Sequence, residues 1–131
     1  MKATVWFDGA CSGNPGPMGG GAVVHVEGGK PQVLSMAFGA GTNNQAEYRA
    51  LILGLRHALA AGVEEVVVHG DSQLILRQLE GKYKVKNADL KALHDEAAKL
   101  LRRFRSAKLE WVPRNENTVA DEASKKAIGL A

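Results

Sequence analysis

Lys2-Ala3-Thr4-Val5-Trp6-Phe7-Asp8 forms an apolar run near the start of the chain that ends in a carboxylate. Alternating side chains point to opposite faces of a strand, and here both faces are largely apolar, which is typical of a strand in the middle of a sheet. A second run, Val66-Val67-Val68-His69-Gly70-Asp71, has the same form and also ends in an aspartate. If the two strands are neighbours, their terminal aspartates are neighbours too, at the carboxyl edge where α/β proteins build their sites.

The pattern around these two runs predicts an α/β fold. Strands are predicted at residues 2–8, 20–27, 32–39, 64–70 and 108–112, and helices at residues 44–61, 72–80, 88–105 and 118–128. The segment from Gly9 to Gly21 is rich in glycine and proline and is predicted as a loop that forms a bulged hairpin. The order β-β-β-α-β-α-α-β-α predicts a mixed five-stranded sheet with helices packed on both faces.

Length and composition limit the classes of function. The chain has 131 residues, which predicts one domain spanning residues 1–131. Its net charge of +3 permits binding to nucleic acid without requiring it. Cys11 is the single cysteine, so a disulfide framework and a cysteine-based zinc site are excluded. No apolar stretch is long enough for a membrane span and no signal-peptide pattern is present, so we expect a cytoplasmic protein without membrane contact.

Two further carboxylates accompany the strand-end aspartates. Glu47 shares a helical stripe with Leu51 and Leu55 and is expected in the first turn of its helix, and Asp121 lies near the start of the last helix. Taken singly, each acid has an ordinary explanation as a strand end, a cap or a partner of the helix dipole. Brought together, four carboxylates cannot all stay ionised without a counter-charge. Mg²⁺ or Mn²⁺ would supply it, and two such ions suit an in-line phosphoryl displacement.

Four motifs of the chain resemble those of type 1 ribonucleases H. They are Phe7-Asp8-Gly9-Ala10-Cys11-Ser12-Gly13-Asn14-Pro15-Gly16-Pro17, Thr42-Asn43-Asn44-Gln45-Ala46-Glu47, Gly70-Asp71-Ser72-Gln73, and Trp111-Val112-Pro113-Arg114 with Asn117 and Ala120-Asp121. They cover essentially the whole chain in the family's order and spacing. The resemblance implies a ribonuclease H-like fold and an endonuclease that cleaves the RNA strand of RNA–DNA hybrids and leaves 5′-phosphate and 3′-hydroxyl ends.

The resemblance also implies roles for individual residues. The catalytic carboxylates, which would bind two divalent ions (Mg²⁺ or Mn²⁺), would be Asp8, Glu47, Asp71 and Asp121, with Asp8 bridging both ions. Positions that meet RNA 2′-hydroxyls are matched by Asn14, Glu47 and Gln73; contacts to the DNA strand are matched by Asn43 and Asn44, and a DNA phosphate contact by Thr42. Amide side chains donate and accept hydrogen bonds, as a 2′-hydroxyl does, so they suit the recognition of RNA. The expected partner is the RNA–DNA hybrid, bound by a monomer.

The chain departs from the family's pattern in three places. Gly41 stands beside Thr42 where some members have an arginine in the DNA-phosphate pocket. The loop Pro113-Arg114-Asn115-Glu116-Asn117-Thr118 lacks the histidine that many members carry, and Glu116 and Arg114 are the candidates to replace it. Only Gly81-Lys82-Tyr83-Lys84-Val85-Lys86-Asn87 stands where many members have a long basic protrusion, which predicts weaker and more salt-sensitive hybrid binding. The alternating lysines of this link fit a solvated edge and phosphate contacts equally well.

These departures leave two other functions open. One is a non-catalytic module that binds hybrids or duplexes, and the other is a related two-metal nuclease that acts on duplex RNA. The complete set of four carboxylates argues against the binding module, because clustered negative charge near phosphate gives a pure binder no advantage.

Overall fold

The computed structural model describes residues 1–130, which form a mixed five-stranded sheet and four α-helices. The strands are β1 (Lys2–Cys11), β2 (Gly16–Val26), β3 (Gln32–Gly41), β4 (Glu65–Gly70) and β5 (Ser106–Trp111). The helices are α1 (Asn43–Ala60), α2 (Gln73–Leu79), α3 (Ala88–Leu101) and α4 (Thr118–Lys126), and a 3₁₀ turn (Arg114–Glu116) precedes α4. The predicted element order is confirmed.

The strand order β3-β2-β1-β4-β5 makes β1 and β4 neighbours. β1 runs antiparallel to β2 and parallel to β4, and β4 runs parallel to β5. The register pairs Phe7 with Gly70, so Asp8 and Asp71 each follow directly after this pair. The two aspartates therefore lie side by side at the carboxyl edge of the parallel strands, which is the arrangement that the apolar runs predict.

Helices cover both faces of the sheet. Successive residues of β2 point to opposite faces, and a Cβ on Gly20 would meet Ala50 of α1, whereas a Cβ on Gly21 would meet Ala120 of α4. Val5 and Phe7 of β1 are fully buried in the main core, where α3 packs on α1. No helix within residues 1–130 combines the length and the apolar character that a membrane span requires.

The predicted loop from Gly9 to Gly21 is wrong for most of its length. β1 continues to Cys11 and β2 starts at Gly16, so only residues 12–15 form the turn. Glycine weakens an ordinary strand, but here the missing side chains let two helices approach the sheet. The expected bulge in this hairpin is also wrong, because the β1–β2 register is continuous up to the pair Cys11–Met18. A shift of register between Met18 and Gly19 occurs instead in the pairing of β2 with β3.

The boundary between α3 and β5 also differs from the prediction. The helix ends at Leu101 rather than at residue 105, and β5 begins at Ser106 rather than at residue 108. Phe104 is buried in the core, and the backbone N–H of Arg105 already donates to the carbonyl of Glu64 at 2.7 Å. The helix therefore ends about one turn earlier than predicted, because core packing and strand pairing set the backbone conformation of the residues that follow.

The close approach of α4 to β2 predicts that Gly21→Ala destabilises the protein more than Gly29→Ala. A Cβ on Gly21 would lie 2.1 Å from the carbonyl oxygen of Ala120, whereas a Cβ on Gly29 would lie 3.4 Å from its nearest neighbour, which is an ordinary contact. We expect Gly21→Ala to lower the free energy of unfolding by about 1–3 kcal/mol and Gly29→Ala by less than about 0.5 kcal/mol. Urea unfolding of both variants measures the difference, and equal losses would contradict the prediction.

Candidate active site

Four carboxylates meet at the edge formed by β1 and β4. One oxygen from each of Asp8, Glu47 and Asp71 lies within 4.8 Å of the others. Asp121 approaches from α4, shares a side-chain hydrogen bond with Asp8 and lines the same cavity of about 370 Å³. The structure thus brings together all four acids that the sequence singles out.

Gly9 joins the two most deeply buried acids. Its backbone N–H donates to Oε1 of Glu47 and to Oδ1 of Asp8, the latter at 3.0 Å. A Cβ at this position would lie 2.4 Å from the backbone nitrogen of Glu47, so a glycine is needed for α1 to pack this closely on β1. This contact places Glu47, which is a residue of α1, at the edge of the sheet.

Glu47 is neither a helix cap nor a partner of the helix dipole, the two ordinary roles expected of an acid near a helix start. α1 begins at Asn43, so Glu47 lies beyond the first turn and the expected stabilisation by the helix dipole is wrong. The cap is Thr42, whose hydroxyl accepts from the N–H of Gln45 while the Gln45 side chain accepts from the N–H of Thr42. Glu47 instead lies on the buried face with Leu51 and is 3% exposed.

Burial disturbs the protonation of both inner acids. Burial, together with the charges of Asp71 and Asp121, raises the pKa of Asp8 to about 7, and a hydrogen bond with Glu47 opposes part of this rise. Burial is also the main reason why the pKa of Glu47 lies well above its usual value. Its Oε2 is buried and has no hydrogen-bond partner among residues 1–130. A buried carboxylate in this state needs a proton or a cation, so the cluster is a fitting place for a positive ion.

Asp121 has a different environment from its neighbours. Partial burial acts to raise its pKa, but the Lys125 ammonium 3.0 Å away and the hydrogen bond with Asp8 outweigh this effect and lower the pKa overall. Lys125 lies one helical turn further along α4 and holds Asp121 in its ionised form. The cluster therefore contains two acids with raised pKa values, Asp8 and Glu47, and one with a lowered pKa, Asp121. Such a separation of pKa values is typical of acid–base sites.

Asn117 belongs to the site, although no role was predicted for it. It is 2% exposed, and its Nδ2 donates to the carbonyl of Phe7 at 2.9 Å and to Oδ2 of Asp71 at 3.0 Å. The backbone N–H of Asp121 in turn donates to its carbonyl at 3.1 Å. Asn117 thus connects β1, the end of β4 and α4. The sequence signal was the place of Asn117 in the fourth motif, and this signal cannot reveal contacts this distant along the chain.

The two candidates for the missing loop histidine lie in different places. Arg114 lines the cavity that contains the four carboxylates, whereas Glu116 lines a separate, mainly apolar cavity beside Trp6 and Val33. The geometry therefore favours Arg114.

The polar residues predicted for substrate contact occupy two regions beside the carboxylates. Asn14, Thr42, Asn43 and Asn44 line one cavity of about 360 Å³, where Oδ1 of Asn14 accepts from the backbone N–H of Asn43 at 3.1 Å. Asn43 and Asn44 also line the carboxylate cavity, so the polar surface is continuous. Gln73 lies apart from them, in a cleft between α2 and β5.

Comparison with known proteins gives several clear similarities. The chain matches a family model described as reverse transcriptase-like over residues 6–127. It is 43% identical to a bifunctional protein of Mycobacterium tuberculosis over 100% of this chain and 36% of that protein. It is 39% identical to ribonuclease HI of Halobacterium salinarum, over 97% of this chain and 64% of that protein. The chain therefore spans about a third of the length of the mycobacterial relative.

Solved structures are similar over nearly the whole chain. RNase H1 from the halophilic archaeon Halobacterium salinarum superposes with a TM-score of 0.94 at 36% identity and covers 100% of both chains. The N-terminal RNase H domain of a Mycobacterium tuberculosis protein gives 0.92 at 42% identity, over 98% of this chain and 94% of that one. LC11-RNase H1, solved in complex with an RNA/DNA hybrid, gives 0.89 at 37% identity, over 97% and 96% of the two chains.

The raised pKa of Asp8 predicts a pH dependence of stability in metal-free buffer. Because the folded-state pKa is about 7 and the ordinary value is 3.8, the folded state binds this proton more tightly than the unfolded state does. The resulting stabilisation is complete below the ordinary value and is lost as the pH rises through the folded-state value. Thermal melts in the presence of a chelator should therefore show that Asp8→Asn gains stability relative to the wild type, by about 5 °C, as the pH rises across this window.

Asp89→Asn is the matched control for this measurement, because Asp89 is exposed on α3. Because Asp89 lies in the first turn of α3, its substitution should lower the melting temperature slightly, but the loss should not grow as the pH rises towards 7. A difference between Asp8→Asn and wild type that stays constant across the window would contradict the prediction.

Proposed function

The chain belongs to the ribonuclease H family, and from this premise we propose that it is an endoribonuclease that hydrolyses the RNA strand of RNA–DNA hybrids with the help of two divalent metal ions. The observation that carries the proposal is the cluster of four carboxylates beside β1 and β4, of which Asp8 and Glu47 are buried. A similar protein whose structure was solved with an RNA/DNA hybrid supports this substrate. The products would carry 5′-phosphate and 3′-hydroxyl ends.

The donor atoms of the cluster fit Mg²⁺ or Mn²⁺. Asp8, Glu47, Asp71 and Asp121 offer carboxylate oxygens, the hard ligands that these ions prefer. Oε2 of Glu47, which lacks a donor within the described part of the chain, is an oxygen that a cation would satisfy. When bound, two such ions would activate water and stabilise the charge on the leaving oxygen. The identity of the metal stays a prediction.

Neighbouring side chains would keep the carboxylates in position. The amide of Asn117 holds Oδ2 of Asp71, and the indole N–H of Trp111 donates to the backbone carbonyl of the same aspartate at 3.0 Å. Lys125 keeps Asp121 ionised. The pKa of Asp8 is about 7 when no cation is present, so near neutral pH part of the protein carries a proton on Asp8 that has to leave before this residue can act as a ligand.

Arg114 would take the place of the missing loop histidine as a source of positive charge. Its guanidinium lines the carboxylate cavity and remains charged at every physiological pH. It can therefore attract the phosphodiester, but it cannot exchange a proton as a histidine does. We propose that this loop contributes electrostatic attraction rather than proton transfer.

The predicted substrate contacts are consistent with the polar surface beside the cluster. Thr42 caps α1, a helix of 18 residues, so a DNA phosphate bound there would meet the positive end of the helix dipole. Asn43 and Asn44 would meet the DNA strand, and Asn14 and Gln73 would meet RNA 2′-hydroxyls. The monomeric state and the cytoplasmic location stay predictions.

The proposal predicts that the wild-type protein cleaves the RNA strand of an end-labelled hybrid when Mg²⁺ or Mn²⁺ is present. Asp8→Asn removes a carboxylate from the centre of the cluster and should lower the rate by at least about 10²–10³-fold. Asp89→Asn, on the surface of α3, should cleave at the wild-type rate.

Single-stranded RNA, duplex RNA and duplex DNA tested in the same assay define the substrate class. Absence of hybrid cleavage above the Asp8→Asn level would refute the proposal. Cleavage of duplex RNA in preference to the hybrid would favour the related nuclease, and hybrid binding without any cleavage would favour the binding module.

Orientation of Asp71 by Asn117 predicts a loss of metal affinity in Asn117→Leu. Leucine has a similar volume but cannot donate, and loss of a partner that orients a metal ligand usually lowers affinity by about 10–100-fold. Gln78→Leu is the matched control, because Gln78 is also a buried amide and accepts from the Tyr48 hydroxyl away from the site. Titration calorimetry with Mn²⁺, at a temperature where circular dichroism shows both variants folded, measures the difference. Equal affinities would show that Asn117 has no role in orienting Asp71.

A further inference from the structure

A cleft of about 320 Å³ lies between α2 and β5, outside the carboxylate cavity. It is lined by the indole of Trp111, by two basic side chains, Arg77 and Lys82, and by the apolar side chains of Leu76 and Leu109. Gln73 and Glu80 complete the lining. The cleft thus combines an aromatic surface with positive charge, the combination by which proteins bind single-stranded nucleic acid.

The indole of Trp111 is exposed but held in place. The residue is 49% exposed, and its Nε1 donates to the backbone carbonyl of Asp71 at 3.0 Å. This bond fixes the edge of the ring and leaves the rest of a large aromatic surface open. An indole that is already ordered loses little conformational freedom when a planar group stacks on it.

Arg77 carries a charge that its neighbours do not neutralise. Its guanidinium donates to the Tyr83 hydroxyl at 3.2 Å and to Oε1 of Gln73 at 3.4 Å, and it lies 5.6 Å from the centre of the Tyr83 ring. These partners are all neutral, and no carboxylate within residues 1–130 forms an ion pair with it. Lys82, by contrast, is 3.6 Å from the carboxylate of Glu80. Arg77 is therefore the group that is positioned and free to bind an anion.

We propose that the α2–β5 cleft binds one unpaired nucleotide of a single strand that extends from the hybrid, with the base on Trp111 and the phosphate at Arg77. The inference rests on the proposed function, because the extension belongs to the hybrid substrate. The cleft adjoins the catalytic cluster through the bond from Trp111 to Asp71, and it shares Gln73 with the predicted RNA contacts. A strand held at the carboxylates can thus continue into the cleft.

The dimensions of the cleft favour an unpaired nucleotide over duplex. A volume of about 320 Å³ is at the lower end of the range for small-molecule pockets, enough for one nucleotide and too small for a base pair. Within a duplex the face of each internal base is covered by its neighbours, so away from the duplex ends only an unpaired base can stack on the indole. Stacking of this kind depends little on base identity, and we expect no strong sequence preference.

Binding of extended hybrids tests the proposal. Fluorescence anisotropy in the Asp8→Asn background, with Mg²⁺ present, compares a blunt hybrid with the same hybrid carrying an unpaired extension of about five nucleotides on each strand end in turn. We expect one of the extensions to raise the affinity about 10-fold, and Arg77→Ala or Trp111→Leu to remove this gain. Trp111→Phe, which keeps an aromatic ring, should retain most of it. Extensions that add no affinity at any end would overturn the proposal.

Lys91→Ala is the control for loss of positive charge, because Lys91 is exposed on α3 and pairs with Asp95 away from the cleft. It should retain the full gain, and an equal loss in Lys91→Ala and Arg77→Ala would refute a specific phosphate contact. Removing the Arg77 contact should also reduce the slope of log affinity against log salt by about 0.7 for the extended hybrid.

Tryptophan fluorescence tests the stacking contact without altering the cleft. The chain contains two tryptophans, and Trp6→Phe leaves Trp111 as the single emitter. The extended hybrid should quench this emission more than the blunt hybrid does, and equal quenching would overturn the stacking contact. Cleavage of the blunt hybrid by the wild type separates the two proposals. If the blunt hybrid is cleaved and extensions add nothing, the cleft proposal alone fails; if extensions bind and nothing is cleaved, the proposed function alone fails.

Discussion

The parallel pairing of β1 with β4 is the constraint on which the site depends. It sets Phe7 opposite Gly70, and so places Asp8 and Asp71 next to each other at one edge of the sheet. A shift of one residue in this register would turn one aspartate to the opposite face, and it would also expose fully buried residues such as Val5 and Val68. The hydrophobic core therefore fixes the register, and the register fixes the position of the two acids.

The other two acids reach this edge because two glycines, which have no side chain, let the helix backbones pack closely on the strands. Gly9 lets α1 approach β1 and bring Glu47 into the cluster, while Gly21 lets α4 approach β2 from the other face and bring Asp121. This arrangement lowers the stability of the metal-free protein at pH values where the acids would otherwise ionise, because burial disfavours the charged forms of Asp8 and Glu47. A site with this arrangement is most stable when a cation replaces the protons. The close contacts at the glycines therefore stabilise a geometry that is ready to bind an ion before the ion arrives.

Sequence reasoning succeeds here where local periodicity and chemistry agree. The apolar runs that end in Asp8 and Asp71 identify two central strands, and the stripe that Glu47 shares with Leu51 identifies the buried face of a helix. It fails where a distant contact decides the outcome. The glycines before Gly21 favour a loop by local propensity, yet helix packing makes most of that segment strand. Asn117 contacts Phe7, 110 residues away along the chain, and Arg114 and Glu116 are equivalent loop residues until the fold assigns them to different cavities.

The basic residues around the site differ in whether a neighbouring carboxylate neutralises their charge. This difference helps to explain how a protein with a small net charge can bind a nucleic acid substrate. The chain carries only +3 overall, and the cluster itself is acidic, so long-range attraction of a hybrid is weak. Lys125 forms an ion pair with Asp121, and Lys82 forms one with Glu80. Arg77 contacts neutral groups beside the cluster, and Arg114 lines the carboxylate cavity itself. Affinity then has to come from a few positioned guanidinium and amide groups rather than from a broad basic surface, which agrees with the short link between α2 and α3.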